Sequence, residues 1–439
     1  MPPSIALPAL RRLLPTTTVE DRNIRFLVLQ TACAGVVSGG IATFLPVMLA
    51  RMGASAVTVS MLSSGLALTS ILAALPAGPL VERQRQLVGW SARYFYAVRI
   101  LFFMIALAVF LPPEWAAPAC VVLWSLHGIP AAIGNNAWYG VLADAVSPRR
   151  RPAVNGARWA LLGLVSAVCV AFFGGLLDLL PFPTGYQLVF IVSALVGWLG
   201  IYLYSRLEIP EREPRAAAGP IGLGRRLRKL IAPLAEGGEF LHYTLGTSVL
   251  RLGLHLPIGL YSIFWVNELM ATNTWIGLRS TVGNVALTVG YYAWGRLAAR
   301  LGHRRTLGVA ALGLSFYPAL TAAAPSVEWL LPAALIWGLF ASGIDMSLFE
   351  GLLDVCPADR RSEFVAVNTF VANGIAFVAP IAGASLAESI GVRPVLWLSA
   401  GLHLATVGVV AYLALRRRQV DGRAEDHPDP DPPVRPRGA

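Results

Sequence analysis

The sequence carries little charge, few cysteines and almost no lysine. Charged residues make up only 13% of its 439 residues, against roughly 25% in a soluble domain, so an ordinary soluble fold is not indicated. The four cysteines show no C-x-x-C spacing, which argues against a disulfide framework and a thiolate metal site. The chain also lacks the G-x-x-x-x-G-K-S/T loop that holds ATP phosphates. We therefore expect no cofactor and no metal.

Long apolar stretches take the place of the missing charge, and they break at glycine, proline and clusters of arginine. A bilayer core needs about 20 apolar residues per helix, and stretches of this length recur along the whole chain. We place the predicted spans at residues 24–49, 57–81, 87–111, 118–143, 153–178, 186–206, 238–267, 274–296, 306–324, 329–353, 363–387 and 394–415. The predicted fold class is an all-α polytopic membrane protein with twelve transmembrane helices.

The basic residues outside the spans fall almost entirely on alternate loops. Only Arg51 and Arg393 lie on the other side of the predicted membrane. Basic loops stay in the cytoplasm, so we expect a multi-pass protein of the plasma (inner) membrane with both termini cytoplasmic. The net charge of +11 then reflects topology and anionic headgroups. It does not indicate a nucleic-acid partner.

Composition divides the chain into five segments. The longest internal loop is rich in charge, and the end of the chain is rich in Pro, Asp and Arg, which is typical of disorder. We predict a cytoplasmic N-terminal segment (1–23), a first six-helix bundle (24–206), a cytoplasmic linker (207–237), a second six-helix bundle (238–415) and a disordered cytoplasmic tail (416–439).

The two predicted bundles repeat each other. Three landmarks recur in the same order at similar offsets: Leu45-Pro46-Val47 and Leu256-Pro257-Ile258, Gly78 and Gly295, Asp144 and Asp354. An internal repeat of this kind predicts two six-helix bundles related by a pseudo-twofold axis along the membrane normal.

One loop signature is repeated with the bundles. After span eight the chain reads Gly295-Arg-Leu297-Ala-Ala299-Arg300-Leu-Gly302-His-Arg304-Arg305, and after span two it reads Gly78-Pro-Leu80-Val-Glu82-Arg83-Gln-Arg85. The first of these resembles the cytoplasmic loop signature G-x-L-a-D-R-x-G-R-R of the major facilitator superfamily, and the second is a weaker match. The ends of spans four and ten, an Asp followed by Pro and paired Arg, also look like that superfamily. The resemblance covers nearly the whole chain.

The signature residues are candidates for a gate. Acids and arginines at helix ends can pair between the two bundles in one conformation and separate in the other, although helix capping and topology alone would also explain them. The candidate gating residues are Gly78, Glu82, Arg83, Asp144, Gly295, Arg300, Arg304, Asp354 and Arg360.

Polar groups inside the spans are candidates for a solute site. Ionisable groups in a bilayer are costly and usually face water or a partner, and the resemblance implies that helices one, four, seven and ten line a central cavity. The candidate substrate contacts are Gln30, Asn135, Asn136, Arg251, His255, Asn284 and Asp345. Asn135 lies nine residues before Asp144, and Asp345 nine before Asp354. The repeat therefore places Asn135 and Asp345 at equivalent depths.

Two of these residues are candidates for proton coupling, Asp345 and His255. Helix rise puts Arg251 and Asp345 about 6 Å apart in depth, and we expect them to form an ion pair across spans seven and ten. A purely structural pair and a hydrogen-bonded packing role for His255 are the alternatives. At the outer end of span eight, Arg279 is expected to meet Glu268.

The resemblance implies a monomeric secondary transporter that moves a small organic solute by alternating access, with protons as the candidate coupling ion. One Arg and one Asp facing amides would suit a polar or zwitterionic solute. Span five lacks the G-x-x-x-G-P-x-x-G-G pattern of drug/proton antiporters in this superfamily. The alternative is a non-transporting assembly or pigment-handling factor with the same fold. We expect no enzymatic activity, because no convergent acid/base or metal set can be assembled.

Overall fold

The computed structural model describes residues 18–108, 110–213, 224, 232–357 and 360–426. These residues form α-helices with short π and 3-10 turns, and the described part contains no strand. Most of the predicted linker and the last thirteen residues, 427–439, lie outside it.

The first half contains six long helices. They are α1 (Val19–Arg51), α2 (Ala56–Glu82), α3 (Leu87–Ala108), α4 (Pro113–Leu126, continued by Gly128–Ala145), α5 (Arg151–Leu179) and α6 (Thr184–Ser205). Side-chain caps fix where two of them begin. Thr18 accepts the N–H of Asp21 at 3.1 Å and Ser55 accepts that of Thr58 at 3.1 Å, which satisfies donors that a helix start leaves unpaired.

The second half contains six more. They are α7 (Gly238–His255, continued by Leu260–Ile263 and the π turn Phe264–Glu268), α8 (Asn273–Leu301), α9 (His303–Ala323), α10 (Leu330–Val355), α11 (Arg361–Ile390) and α12 (Val392–Asp426). The predicted disorder of the tail is wrong for residues 416–426, because α12 continues through them to Asp426.

The structure confirms a twelve-helix membrane fold. Within the described residues, eleven helices are long and apolar enough to cross a membrane. The remaining helix, α8, carries Arg279, Arg296 and Arg300, which lowers its hydropathy. It is nevertheless packed along α5 on one side and α10 on the other, as a membrane helix would be.

The helix pairings repeat between the two halves. In the first half α2 packs on α4, α3 on α6, and α1 on α5 and α6; in the second half α8 packs on α10, α9 on α12, and α7 on α11 and α12. The halves meet along two seams, α5 with α8 and α2 with α11. A twofold axis exchanges these seams, so the internal symmetry that the sequence repeat predicts is present.

The repeated proline landmark marks irregular backbone in both halves. Pro46 follows a π turn at Ser38–Ala42 in α1, and Pro257 lies where α7 is interrupted after His255. Proline lacks an N–H and cannot complete the helical ladder. Both α1 and α7 therefore depart from regular α-helix at about the same point of the repeat.

Candidate functional site

The two halves meet most closely at the end of the molecule opposite the start of α1. We call that the outer end, and the end carrying the start of α1 the inner end. At the outer end, Asp178 at the end of α5 accepts the backbone N–H of Asn273 at 2.8 Å and that of Thr274 at 2.8 Å. These are the first residues of α8, whose N–H groups have no partner within the helix, and a carboxylate is favoured there by the helix dipole.

Arg51 adds a second link between the halves. It donates from Nη2 to the carbonyl of Ala271 at 2.7 Å and from Nε to Oδ1 of Asn273 at 3.2 Å. Tyr186 donates to the same Asn273 oxygen at 2.5 Å. We name Arg51, Asp178, Tyr186 and Asn273 the outer seal. A groove of about 620 Å³ lies beside it.

Sequence reasoning missed the outer seal. It treated Arg51 as an exception to the charge bias and Asp178 as the end of span five. Two signals were present: a basic residue on the wrong side of the membrane, and an acid facing the start of a helix from the opposite half.

Below the seal, α5 and α8 are in backbone contact. A Cβ added to Gly174 would lie 2.6 Å from the carbonyl oxygen of Asn273, and one added to Gly277 would lie 2.8 Å from that of Val170. One turn further in, Thr281 donates to the carbonyl of Ala167 at 2.9 Å. Small residues permit this approach, as is usual between membrane helices.

Toward the inner end the same seam separates. A Cβ added to Gly163 would lie 3.7 Å from Thr288 Oγ1, and one added to Gly156 would meet no atom within 4 Å. On α8, a Cβ at Gly295 would meet only Met346 of its own half, at 3.8 Å. The gap between the halves therefore widens from the outer end to the inner end.

The charged residues of the inner end pair within their own half. Pairs at this end include Arg150 with Asp21 at 2.8 Å, Arg212 with Asp144 at 2.7 Å, His303 with Asp354 at 3.0 Å, Arg304 with Glu239 at 3.8 Å and Arg360 with Glu236 at 2.9 Å. The hydrogen bond from Arg212 to Asp144 raises the pKa of that arginine. Hydrogen bonds to Glu236 and Glu363 likewise raise the pKa of Arg360.

The remaining signature residues have no such partners. Glu82, Arg83 and Arg300 are exposed, and none forms an ion pair with a residue that the structure describes. Gly78 lies in α2 and Gly295 in α8. Among the residues that the structure describes, the signature charges thus form no ion pair between the bundles, and at Gly295 the opposite half lies out of contact.

Asp345 lies exposed on α10 and accepts a hydrogen bond from Tyr291 of α8 at 2.8 Å. The expected Arg251–Asp345 ion pair is wrong for this structure: neither residue is in an ion pair within the described ranges. Tyr243 donates to the carbonyl of Leu348 at 2.6 Å, which sets the register of α7 against α10. This register puts Arg251 about 7 Å further out than Asp345, while Tyr291 is level with the carboxylate.

Arg251 nevertheless faces the space between the halves. Two residues along α7, Gly253 packs against α12, where Ser399 donates to its carbonyl at 2.7 Å. Residues two apart point to nearly opposite sides of a helix, so Arg251 points away from α12. It is half-buried, and its guanidinium makes no hydrogen bond to any residue in the described part of the chain.

The other candidate contacts are placed without a shared partner. Asn135 and Asn136 are exposed on α4, and Asn136 donates to the carbonyl of Ala132 at 3.1 Å. Gln30 is half-buried and accepts from Thr31 at 3.5 Å. Asn284 is half-buried on α8, and His255 has a buried Nδ1 that lacks a partner among the described residues.

Arg279 does not meet Glu268, contrary to expectation. Its guanidinium lies 4.3 Å from the Trp265 ring centroid and donates to the Tyr317 hydroxyl at 2.7 Å, while Glu268 pairs with Arg393 at 3.0 Å. Aromatic faces attract a cation without a counterion, so Arg279 is held by rings instead of a carboxylate.

The parts of the chain that the structure describes contain no group of three or more His, Cys, Asp or Glu side chains placed to hold an ion. The four cysteines are free thiols.

Two six-helix bundles that meet along two seams, close at one end and diverge at the other, define the architecture of a twelve-helix membrane transporter. Residues 27–245 and 243–438 each match the sequence profile of the Major Facilitator Superfamily. The chain belongs to this transporter family.

Relatives and solved structures agree with that assignment. Multidrug resistance protein MdtG of Serratia proteamaculans (strain 568) is 29% identical over 136 residues, which cover 30% of this chain and 32% of that protein. The match therefore spans about a third of the length of this curated relative. The nucleoside transporter NupG has a TM-score of 0.70 at 12% identity, covering 89% of this chain and 99% of its own.

A bacterial homologue of iron transporter ferroportin is also similar in fold. In its inward-facing state the TM-score is 0.66 at 16% identity, over 91% of this chain and 99% of that one. In its outward-facing state the TM-score is 0.58 at 16% identity, over 90% and 99%.

Proposed function

We propose that this protein is a secondary transporter that moves a small organic solute across the plasma membrane by alternating access, with its inner end and both termini in the cytoplasm. The observation that carries the proposal is the asymmetry between the two ends of one seam. Asp178 and Gly174 of α5 touch the start of α8, whereas Gly156 of α5 faces open space. A solute path that is closed outside and open inside is one of the two states that alternating access requires.

The symmetry of the fold supports the second state. The bundles, 24–206 and 238–415, are built from the same helix pairings, and glycines allow close contact along the α5–α8 seam between them. Rocking one bundle against the other would open the outer seal and close the inner gap without breaking contacts inside either bundle. The higher TM-score with an inward-facing structure than with an outward-facing one agrees with an inward-open conformation here.

The polar groups in the gap are the proposed solute and proton contacts. Asp345 is proposed to exchange the coupling proton, with His255 as a second candidate. Gln30, Asn135, Asn136, Arg251 and Asn284 are proposed to contact the solute. An organic solute also agrees with the partial match to a protein named for multidrug resistance, although the proposal does not extend to drugs as a class.

Alternating access can be tested by measuring distances between spin labels in the purified chain in lipid nanodiscs. With the four native cysteines replaced, one label pair would report the outer end (Phe182 and Met270) and another the inner end (Trp159 and Tyr292). All four positions are exposed, at 49%, 76%, 70% and 63%. We expect two populations in which the outer distance lengthens as the inner distance shortens.

The two distances must change in opposite directions. A single fixed population at both ends, in acidic and in alkaline buffer, would contradict the proposal and favour the non-transporting role. A parallel lengthening of both distances would indicate loosening of the fold and would contradict it as well.

A further inference from the structure

Arg158 is a membrane-embedded arginine with a fixed position and no acidic partner. It lies in the first third of α5, where its Nε donates to Thr31 Oγ1 at 2.9 Å and its Nη1 to Asn155 Oδ1 at 3.1 Å. Its guanidinium carbon lies 4.4 Å from the ring centroid of Trp138. Residues of α1, α4 and α5 therefore hold the group in one orientation. We name Arg158, Thr31, Trp138 and Asn155 the Arg158 subsite.

Most of the hydrogen-bonding capacity of Arg158 is unused. A guanidinium has five N–H donors, and only two are committed here. Its Nη2 donates to no residue that the structure describes, and the side chain is half-buried. Across the described ranges Arg158 forms no ion pair. A cation at this depth is costly unless water or an anion meets it.

The seam between α5 and α8 gives the depth of Arg158. Going inward, the antiparallel contacts join Val170 to Gly277, Ala167 to Thr281 and Gly163 to Thr288. Continuing this register by about one turn places Arg158 level with Tyr291, the residue that donates to Asp345. The Arg158 subsite in the first half and Asp345 in the second half are thus at the same depth, on opposite sides of the gap.

That depth is where the gap is open. Trp159 and Tyr292, the neighbours of Arg158 and Tyr291, are 70% and 63% exposed. Two residues further in, a Cβ added to Gly156 would meet no atom within 4 Å. A solute entering from the inner end would therefore reach the free N–H groups of Arg158 without crossing the seal.

We propose that the Arg158 subsite binds an anionic group of the transported solute, a carboxylate, sulfonate or phosphate. The free Nη1 and Nη2 hydrogens can donate two parallel hydrogen bonds to two oxygens of such a group. Contacts from Thr31, Asn155 and Trp138 fix the fork beforehand, which reduces the entropy lost on binding. Arg251 also faces the gap, but it forms no hydrogen bond or ion pair with a described residue that would position it. The proposal rests on the proposed function, since it takes the gap to be the solute path.

The subsite can be tested by thermal shift on the purified full-length chain at matched ionic strength. The probes are benzoate, benzenesulfonate and phenyl phosphate, with benzamide as the uncharged control. We expect at least one anion to raise the melting temperature and benzamide to leave it unchanged. In Arg158→Gln the apparent affinity for that anion should fall by about tenfold or more, whereas Arg158→Lys should retain part of it.

The matched control is Arg206→Gln. Arg206 also stacks on an aromatic ring, that of Tyr202, but it caps the C-terminal end of α6. Replacing it should leave anion binding unchanged. No stabilisation by any of the three anions would overturn the proposal. So would undiminished binding in Arg158→Gln, or a loss confined to Arg251→Gln, since either would place the anion elsewhere.

The outcomes also separate this inference from the transport proposal. The melting temperature of ligand-free Arg158→Gln shows whether the variant is folded, and Arg158→Lys keeps the test valid if it is not. If anion binding needs Arg158 but the spin-label distances never alternate, the subsite is supported and the transport proposal is contradicted. If the distances alternate but no anion binds, the transport proposal is supported and the subsite is contradicted.

Discussion

The carboxylate of Asp345 is exposed at mid-span and receives a single hydrogen bond, from Tyr291. If it exchanges the coupling proton, its protonated and ionised forms must favour different conformations, because a ligand shifts an equilibrium only through differential affinity. Asparagine mimics the protonated form. We expect Asp345→Asn to hold, in every buffer, the ratio of inward to outward populations that the unmodified protein shows in acid. Spin-label distances at the two ends would measure this ratio as a function of pH.

Glu350 is the control for this prediction. It is an exposed carboxylate on the same helix, five residues further on, and Glu350→Gln should keep the pH dependence of the unmodified protein. An Asp345→Asn variant whose populations still respond to pH as before would remove the residue from the coupling step.

Sequence reasoning at the residue scale identified Asp345 and Arg251 but not their contacts. Both could be identified because a charged residue inside an apolar span stands out in the sequence, whichever residues it contacts. Their partners depend on helix register and rotation. Nothing in the sequence pairs Tyr291 with Asp345 or Thr31 with Arg158. Arg158 lies near the basic inner end of α5, where an arginine looks like one more topological charge.

At the scale of the helix, the sequence predicts where each membrane span begins and ends, but not which side of the helix faces which neighbour. The predicted span 274–296 corresponds to α8 (Asn273–Leu301), and 153–178 to α5 (Arg151–Leu179). Length and apolar content set these limits. They do not determine which side of a helix faces which neighbour. That Gly174 packs against the start of α8, and Gly277 against Val170 of α5, therefore emerged only from the packed structure.

The start of α8 provides a prediction about the outer seal. The two carboxylate oxygens of Asp178 accept two backbone N–H groups, and a charge at a helix start contributes about 1 kcal/mol. Asp178→Asn keeps the size of the side chain but removes the charge and one acceptor. We expect the ratio of outward to inward populations to rise about fivefold, seen as a longer distance between labels at Phe182 and Met270.

Glu114→Gln serves as the control, because Glu114 is an exposed acid at the same end of the molecule, in the first turn of α4. It should leave the distances unchanged. Equal populations in Asp178→Asn and the unmodified protein would show that the seal does not contribute to the closed outer end.

Adjacent glycines in α5 give a sharper comparison. A Cβ at Gly174 would lie 2.6 Å from the Asn273 carbonyl oxygen, whereas a Cβ at Gly175 would meet nothing within 4 Å. Overpacking of this kind costs about 1–3 kcal/mol, and only the inward-facing state would bear the cost. Gly174→Ala should therefore shift the protein toward the outward-facing state, and Gly175→Ala should not.

The outer-pair distance distribution would decide this comparison. Both substitutions add one methyl group to neighbouring positions of one helix, so a general effect on helix propensity would act on both alike. A similar change of the outer distance in both variants would contradict a steric clash specific to Gly174 at the α5–α8 seam.

On the scale of the whole molecule, the repeat was visible in the sequence, but the conformation was not. Paired landmarks such as Asp144 and Asp354 appear in any conformation, because symmetry of the chain does not depend on how the bundles are tilted. Signature charges can pair between the bundles only in a state that is closed at the inner end. In the state described here, Asp144 and Asp354 are paired inside their own halves.

The seam itself predicts how the other state closes. The contact at the outer end is made by Gly174 and Gly277, and eighteen residues further in each helix again presents a glycine, Gly156 on α5 and Gly295 on α8. Eighteen residues complete five turns, so these glycines lie on the same two faces. Neither meets an atom of the opposite half within 4 Å. At the outer end Gly277 lies against Ala171 of α5. We expect the outward-facing state to bring Gly295 against Ala153, the residue eighteen positions further in along α5.

Disulfide cross-linking would detect this closure, because a disulfide forms only when the two Cα atoms approach to about 4.4–6.8 Å. In a background without native cysteines, Ala153→Cys with Gly295→Cys should cross-link slowly, and Gly174→Ala should accelerate the reaction by favouring the outward-facing state. Ala153→Cys with Ala293→Cys is the control, since Ala293 is exposed on a different face of α8. Equal cross-linking rates for the two pairs, or no acceleration by Gly174→Ala, would mean that the inner end closes along some other line than the α5–α8 seam.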